Sequence, residues 1–345
     1  MRRALLATPN VASLRRATCM AAVWLLTSVD ALGVNAALEA RWGEYANRVA
    51  ESAPIQPECV PEMIRPPEGT EIRGTFLFIH GFLSCNQQLR DLGQAIALSG
   101  YLVIMPLMPG HGRAWPALDE DDYSDLPRPG DWRGRFDEFV AEMNDLMAVA
   151  PGEKVIGGLS VGAAVSLAAH LEHPGAYDRH VLFVPFLGVP GGPVGAAAVT
   201  SLSRIPILQE ISVAAMGWRP ICHEKRRLGR AGYCDYRLKH LGAMHAMASR
   251  TFRRLAQKPM DVPLQIFAIE SDPSVSQARI EGLEAVQSAT GRTQAFFYPP
   301  GVPHSLLSRA DNPGADMWWL GDVFARSVAF VVEGRASKNR VKPSD

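Results

Sequence analysis

The chain has 345 residues, of which 47% are hydrophobic and 20% are charged, and this balance excludes a disordered or collagen-like protein. Lysine and arginine total 35, as do aspartate and glutamate, so the formal net charge is zero and the sequence lacks the basic character that nucleic-acid binding needs. The length suits one large domain with an insertion, or two or three smaller domains, and we expect no nucleic-acid partner.

The first predicted element is a cleavable targeting segment over residues 1–36. Residues 1–29 contain four arginines and no acid, and the 13-residue apolar run Ala17–Val29 is shorter than the roughly 20 residues that a membrane-spanning helix needs. The small residues around Val34–Ala36 suit cleavage by a signal peptidase, so we predict export to the periplasm or the medium. The alternatives are a start at Met20, an Arg-rich organelle transit peptide, or an ordinary apolar helix.

Four cysteines remain if residues 1–36 are removed: Cys59, Cys85, Cys222 and Cys234. An even number of cysteines in an exported chain is typical of disulfide bonds, although four cysteines allow three pairings. We favour Cys222–Cys234, which closes a short loop, and Cys59–Cys85 as the remaining pair. In a reducing compartment the same residues would be buried thiols. Their spacing to nearby histidines matches no usual zinc pattern, so we predict no metal site.

From about residue 75 onward, short apolar strands alternate with helices. The predicted strands cover 75–80, 101–106, 154–159, 180–187, 264–269 and 294–298. The predicted helices cover 86–99, 132–147, 161–173, 275–289 and 314–333. Because these strands are apolar on both faces and alternate with helices, the sequence predicts a mostly parallel central sheet with helices on both faces.

The alternation is interrupted once, by the segment 188–258, which is too long for a connecting loop. We predict that this segment is an inserted cap, or lid, between the sixth and seventh strands, over one end of the sheet. Its apolar residues over 194–216 either roof a pocket or pack the cap onto the core. The core then consists of 37–187 and 259–335, and residues 336–345 form a C-terminal tail.

A candidate nucleophile follows the strand predicted over 154–159. Gly158-Leu159-Ser160-Val161-Gly162 has the form G-x-S-x-G, and a helix rich in small residues comes directly after it. Such a sharp strand-to-helix turn strains the serine backbone, so the residues two positions away must be small. The turn exposes the Ser160 hydroxyl at a helix N-terminus, where the helix dipole favours developing negative charge.

With four further motifs, this turn makes the chain resemble the α/β-hydrolase superfamily, and within it the branch of monoacylglycerol lipases and serine aminopeptidases. In chain order the motifs are His80-Gly81-Phe82, Pro109–Gly112, Gly158–Gly162, Glu270–Val275 and Val302-Pro303-His304. They cover about residues 74–334 in the order that the family uses. The chain departs from the pattern at Ala163, where many relatives have a second glycine, and before residue 70, where candidates for the early strands are weak.

The resemblance implies a catalytic triad in the chain order serine, acid, histidine. Of the nine histidines, only His304 follows the strand predicted at 264–269, so it is the candidate base. Asp272 matches the family's acid position, and Glu270 is the alternative. The acid would hold the imidazole tautomer and stabilise the imidazolium that forms when Ser160 gives up its proton.

The resemblance also implies an oxyanion hole, a pair of N–H donors that bind the negatively charged oxygen of the reaction intermediate. In this fold the backbone N–H groups of Phe82 and Val161 would supply it. By the same resemblance, His80 and His111 brace loops and take no direct part in catalysis. The sequence contains no dinucleotide-binding, phosphate-loop or metal-binding motif, so we predict no cofactor.

The predicted activity is hydrolysis of a small acyl ester, such as a lipid ester with a medium or long chain, through an acyl-enzyme. One alternative is an aminopeptidase, which would need an acid such as Glu210 or Glu224 to bind the substrate amine. The others are an acyltransferase and a binding protein that keeps the fold without catalysis. We interpret the basic residues over 225–239 as a solvated helix face rather than an anion site. We expect no stable membrane span and leave the oligomeric state open.

Overall fold

The structure is a computed structural model that describes residues 36–114, 125–128, 132–213 and 223–334. The predicted targeting segment, apart from Ala36, lies outside these ranges, as does the predicted C-terminal tail. In the described part of the chain, no helix combines the length and the apolar character needed to cross a membrane.

Seven strands of the described chain form one mostly parallel sheet. They are β1 (Glu62–Ile64), β2 (Gly74–Ile79), β3 (Tyr101–Met105), β4 (Glu153–Leu159), β5 (Arg179–Phe183), β6 (Leu264–Ile269) and β7 (Thr293–Tyr298). Their order across the sheet is β1-β3-β2-β4-β5-β6-β7, and only the β1–β3 pair is antiparallel. Every residue of β2, β3, β5 and β6 is buried, as their continuous apolar runs predict.

The described residues form ten helices. They are α1 (36–52), α2 (Arg90–Ala97), α3 (Trp132–Ala148), α4 (Val161–Glu172), α5 (Gly192–Leu202), α6 (Pro206–Gln209), α7 (His223–Arg227), α8 (Leu238–Gln257), α9 (Gln277–Ser288) and α10 (Leu320–Glu333). Helices α2 and α10 contact each other, and helices α3, α4, α8 and α9 form a second connected set. The predicted layers, a central sheet between helices, are confirmed.

The described segment before β1 begins with helix α1. In α1 the buried side chains of Leu38, Trp42 and Tyr45 recur at helical spacing, and the Tyr45 hydroxyl donates to the carbonyl oxygen of Leu107 at 2.7 Å. In the described chain, therefore, only β1 precedes β2. The segment 188–258 consequently lies between the fifth and sixth strands of this sheet, and our expectation of the sixth and seventh was wrong.

One predicted strand is also too long. The prediction extends to residue 187, but β5 ends at Phe183 because Val184 has a φ of 42° and the chain turns there. After the turn, the N–H of Phe186 donates to the carbonyl oxygen of Ser160 at 3.0 Å. The turn thus returns the chain to the end of β4, which local sequence preference does not reveal.

The basic stretch of the inserted segment is only partly a solvated face: Lys225 and Arg227 are exposed, but other basic residues of the stretch are buried. The side chain of Arg230 is 4% exposed and forms an ion pair with Asp311, with 2.7 Å between Nε and Oδ1. Arg226 is buried as well, and Lys239 is buried while it pairs with Glu210. Sequence pattern suggested solvation because the partner acids lie far away along the chain.

An ion pair between the buried Arg179 and the exposed Glu153 joins three strands at the amino-terminal edge of the sheet. Arg179 at the start of β5 donates from Nη2 to Glu153 of β4 at 2.6 Å, and Glu153 accepts a hydrogen bond from the hydroxyl of Tyr101 of β3 at 2.6 Å. Arg179 also donates to the carbonyl oxygen of Val331 in α10. This network fixes the last helix to the amino-terminal edge of the sheet, away from the loops that follow β4, β6 and β7.

Two histidines are buried against each other between α4 and β5. The rings of His170 and His180 lie 4.9 Å apart at a steep angle, and neither ring nitrogen of His180 has a hydrogen-bond partner among the described residues. Burial first, and the nearby His170 second, lower the pKa of His180 well below its usual 6.5. Because the unfolded chain binds a proton more readily at this site, protonation favours unfolding.

We therefore expect the free energy of unfolding to be highest above pH 6.5 and to fall as the pH decreases. A histidine of this kind contributes a slope of about 1.4 kcal/mol per pH unit below its unfolded pKa. Replacing His180→Phe, which suits a site between aromatic rings, should reduce that slope. Urea denaturation of both proteins between about pH 7.5 and about pH 4.5 measures it, and equal slopes would contradict the assignment.

Candidate active site

Ser160 lies at the sharp turn between β4 and α4. Its φ is 55° and its ψ is −114°, a strained conformation of the kind that is found at active sites. A Cβ on Gly162 would lie 2.2 Å from the carbonyl oxygen of Ile79, and one on Gly158 would lie 2.3 Å from the carbonyl carbon of Gly162. The two glycines of the G-x-S-x-G motif are therefore required by close backbone packing around the serine.

The structure brings together the three side chains that the sequence indicates as nucleophile, base and acid. Nε2 of His304 lies 2.9 Å from Oγ of Ser160, and Nδ1 of the same ring lies 2.6 Å from Oδ2 of Asp272. The three residues follow β4, β6 and β7, so they share the carboxyl edge of the sheet, where open α/β sheets place their ligand sites. This arrangement can move a proton from a hydroxyl to an imidazole.

Asp272, rather than the alternative Glu270, contacts the imidazole. Burial alone would raise the pKa of Asp272, but the charge of a protonated His304 and the hydrogen bonds from His304 and Ser274 outweigh burial and lower that pKa. The N–H of Ser274 donates to Oδ1 at 2.7 Å, which leaves Oδ2 for His304. The ionised carboxylate thus favours the tautomer that carries its proton on Nδ1 and presents Nε2 to Ser160 as an acceptor.

Two residues that line the same cavity as Ser160 carry the backbone N–H groups that the sequence suggests as an oxyanion hole. They are Phe82, in the loop after β2, and Val161, the first residue of α4. In the described part of the chain, neither N–H donates to a protein acceptor. Donors of this kind can stabilise an oxygen that becomes negatively charged next to the serine.

His80 holds the peptide group that carries the Phe82 N–H. The N–H of Met108 donates to Nε2 of His80 at 3.0 Å, so Nδ1 carries the ring proton and donates to the carbonyl oxygen of Gly81 at 2.8 Å. Burial lowers the pKa of His80 to about 4, which keeps the ring neutral. The ring of His111 packs edge-on against that of Phe82, with 4.9 Å between centroids. Both histidines therefore contact the loop rather than the Ser160 hydroxyl.

A cavity of about 390 Å³ opens over Ser160 and His304. Its lining includes apolar and aromatic residues, namely Phe82, Leu159, Val161, Phe186, Tyr236 and Met244. It also includes polar and charged residues, namely Glu224, Lys225, Arg230, Ser305, Asp311 and Asn312. A second cavity of about 290 Å³, between α1 and α3, is lined by none of the three candidate catalytic side chains.

The sequence indicated the three side chains that meet at Ser160, but not most of the residues that line the cavity around them. Of the described residues from the inserted segment, Glu224, Lys225, Arg230, Tyr236 and Met244 line the cavity, whereas the apolar residues of 194–213 do not. Among those apolar residues, some are buried away from the cavity and others face solvent. Asp311 and Asn312 were missed too, and their only signal is an Asp-Asn-Pro turn shortly after the candidate base.

A disulfide bond lies next to the candidate oxyanion hole. Cys59 and Cys85 are bonded, as the sequence predicts, and Cys85 lies three residues after Phe82. Cys234 is also disulfide-bonded, while its predicted partner Cys222 lies outside the described residues. Within the described ranges, no group of three or more His, Cys, Asp or Glu side chains is arranged to hold a metal ion.

The sheet order, the helices on its faces and the strained serine turn after β4 define an α/β-hydrolase. A family model described as serine aminopeptidase, S33, matches residues 70–309. Because this range covers well over half of the chain, the chain belongs to the serine aminopeptidase S33 family, which agrees with the resemblance that its motifs suggest.

The chain is similar to several lipases. It is 25% identical to the thermostable monoacylglycerol lipase of Bacillus sp. (strain H-257) over 130 residues, which is 38% of this chain and 46% of that relative, so the match spans less than half of the relative's length. A soluble variant of monoglyceride lipase from Saccharomyces cerevisiae has a TM-score of 0.58 at 14% identity, covering 80% of this chain and 92% of that chain. Monoacylglycerol lipase from Paleococcus ferrophilus has a TM-score of 0.55 at 14% identity, covering 80% and 99%. At these identities the structural matches show a shared fold.

The contact between Asp272 and His304 yields a test of the candidate triad. Asp272→Asn should lower kcat by about 10³–10⁴-fold, because an asparagine at this site favours the wrong imidazole tautomer while keeping the shape of the side chain. Steady-state kinetics on a p-nitrophenyl ester, with thermal unfolding as a folding check, would measure this. Glu270→Gln is the matched control and should retain kcat; an unchanged kcat in Asp272→Asn would rule out its role.

The Cys59–Cys85 bond yields a stability prediction. It links two residues 26 positions apart, so replacing both cysteines with alanine should lower the free energy of unfolding by about 3 kcal/mol in the chain-entropy description. Guanidinium denaturation of the double variant against the parent protein measures the loss. A loss below about 1 kcal/mol would mean that the unfolded chain is little constrained by this bond.

Proposed function

We propose that the protein is a serine hydrolase that cleaves carboxylic esters with medium or long acyl chains, in the manner of a monoacylglycerol lipase or carboxylesterase. The observation that carries the proposal is the continuous hydrogen-bonded chain from Asp272 through His304 to Oγ of Ser160, at the floor of a cavity with two backbone N–H donors. The family membership and the lipases to which the chain is similar support a lipid or other acyl ester as substrate.

In the proposed reaction, Oγ of Ser160 attacks the ester carbonyl carbon while Nε2 of His304 takes the hydroxyl proton. The carbonyl oxygen becomes negatively charged and accepts hydrogen bonds from the N–H groups of Phe82 and Val161. The intermediate then collapses, the alcohol leaves with the proton from His304, and an acyl-Ser160 ester remains. Water, deprotonated by His304, attacks this ester, and the acid product leaves as Ser160 regains its proton.

The mixed lining of the cavity supports an ester with two unlike ends. Its apolar and aromatic side chains, such as Phe186, Tyr236 and Met244, suit an acyl chain, and its polar side chains, such as Ser305 and Asn312, suit an alcohol that carries further hydroxyl groups. We propose that 188–258 acts as a cap, because residues from this segment line the cavity above Ser160.

An aminopeptidase is the second candidate, and Glu224 is the observation that favours it. Of the two acids considered for binding a substrate amine, Glu210 pairs with Lys239 and does not line the cavity, whereas Glu224 does line it. The lining also holds Lys225 and Arg230, however, and these two cations balance Glu224 and Asp311. A balanced lining offers a substrate ammonium little net attraction, so we favour the ester.

We further propose that the protein acts outside the cytoplasm, after cleavage of the segment 1–36. The disulfide bonds at Cys59–Cys85 and at Cys234 support this, because such bonds persist in oxidising compartments.

The proposed function is tested with p-nitrophenyl esters from acetate to palmitate beside a set of amino-acyl p-nitroanilides. We expect kcat/KM to be highest on a medium or long ester and at least about 10²-fold lower on the anilides, because the two cations of the cavity lining balance its two carboxylates. A fluorophosphonate probe should label the protein, but not its Ser160→Ala variant. Preference for the anilides would favour the aminopeptidase, and labelling that persists in Ser160→Ala would refute the assigned nucleophile.

A further inference from the structure

The loop that carries the Phe82 N–H is attached to a side chain that the reaction itself does not use. The N–H of Gly81 donates to Oε1 of Gln88 at 2.9 Å, and Gln88 belongs to the short 3-10 turn just before α2. A Cβ on Gly81 would lie 2.9 Å from the same oxygen, so the approach is close. The side chain of Gln88 therefore contacts the peptide next to the one that would bind the oxyanion.

The orientation of the Gln88 amide is set by a buried ion pair. Nε2 of Gln88 donates to Oδ2 of Asp311 at 2.8 Å, and Nε of Arg230 donates to Oδ1 at 2.7 Å. The side chains of Arg230 and Asp311 are 4% and 6% exposed. A carboxylate only accepts hydrogen bonds, so Asp311 draws the NH₂ group of Gln88 and leaves the amide oxygen to face Gly81.

The residues around Arg230 in the inserted segment also form direct hydrogen bonds with the loop that carries Phe82. The N–H of Tyr233 donates to the carbonyl oxygen of Leu83 at 2.8 Å, and Nη1 of Arg230 donates to the carbonyl oxygen of Tyr233 at 2.9 Å. Leu83 has a φ of 65°, and a Cβ on Gly232 would lie 2.2 Å from its carbonyl oxygen. The loop thus has a defined, strained conformation that contacts from a distant part of the chain maintain.

We propose that Gln88 is a positioning residue for the oxyanion hole and that the Arg230–Asp311 pair holds it in its working orientation. This inference rests on the proposed ester hydrolysis. A donor must be held within about 0.5 Å of its productive place to stabilise a transition state. Gln88 holds the peptide on one side of the Gly81 Cα through its N–H, and His80 holds the peptide on the other side, which carries the N–H of Phe82. Both peptides must be held for Gly81 to keep the conformation that orients the Phe82 N–H. Arg230 connects the inserted segment to the same donor.

The test is a loss of transition-state binding without a loss of substrate binding. Gln88→Met keeps the side-chain length but removes both hydrogen bonds. We expect kcat to fall about 10–100-fold, less than complete removal of a donor would cause, with KM changed by no more than about twofold. The rate of fluorophosphonate labelling and the affinity for a trifluoromethyl ketone should fall in the same proportion as kcat, since both adducts use the hole.

A double variant that exchanges the amide and the carboxylate tests whether kcat can be restored. In the double variant Gln88→Glu with Asp311→Asn, the new carboxylate can accept from Gly81 and from the new amide, whose oxygen can still accept from Arg230. The hydrogen-bond pattern and the net charge are kept, so kcat should return to within about fivefold of the parent value. Arg179→Met, which breaks the ion pair of the buried Arg179 with Glu153 at the amino-terminal edge of the sheet, is the control for destabilisation and should leave kcat unchanged.

If Gln88→Met does not fold, Arg230→Met with Asp311→Leu replaces it, because removing both members of a buried pair leaves neither charge uncompensated. We expect this variant to fold and to lose kcat as Gln88→Met would. Unchanged kcat and labelling rate in a folded variant would overturn the positioning role, as would a change confined to KM. If the parent protein is labelled at Ser160 but hydrolyses no ester, the ester proposal fails, while the ratio of labelling rates still decides the role of Gln88.

Discussion

The close contact between the start of α4 and the end of β2 determines the geometry of the whole site. The carbonyl oxygens of Ile79 and His80 occupy the space that a side chain on Gly162 would need, so the helix can approach only because that residue is glycine. Val161 directly precedes the contact on one side, and Phe82 follows it by two residues on the other. One packing contact therefore determines how closely the loop that carries Phe82 approaches the turn around Ser160.

The sequence predicted the central part of this fold well because the information there is local. The strands of a parallel sheet covered on both faces are apolar throughout, and the turn around Ser160 requires glycines at two fixed positions. The candidate base followed from chain order, since His304 alone among the histidines lies beyond β6. What failed depends on distant partners: β5 ends early at Val184 because the next residues return to the turn around Ser160.

The charged residues of the inserted segment show the same limit. Nothing in the pattern around Arg230 shows that Asp311, which is 81 positions away, will meet it inside the protein. A run of basic residues on a predicted helix usually faces water, and on composition alone that interpretation was reasonable. Burial of such a pair carries a desolvation penalty, so its presence beside the cavity is weak evidence for a role in stability.

The Cys59–Cys85 bond has a consequence for where this protein can be divided. The family match begins at residue 70, yet Cys59 lies before it and is covalently joined to the loop that carries Phe82. Helix α1, also outside the match, donates the Tyr45 hydrogen bond to the loop after β3. A fragment cut at the family boundary would keep every proposed catalytic side chain while leaving Cys85 as an unpaired thiol. The part of the chain that supports the candidate site is thus larger than residues 70–309, which the family model matches.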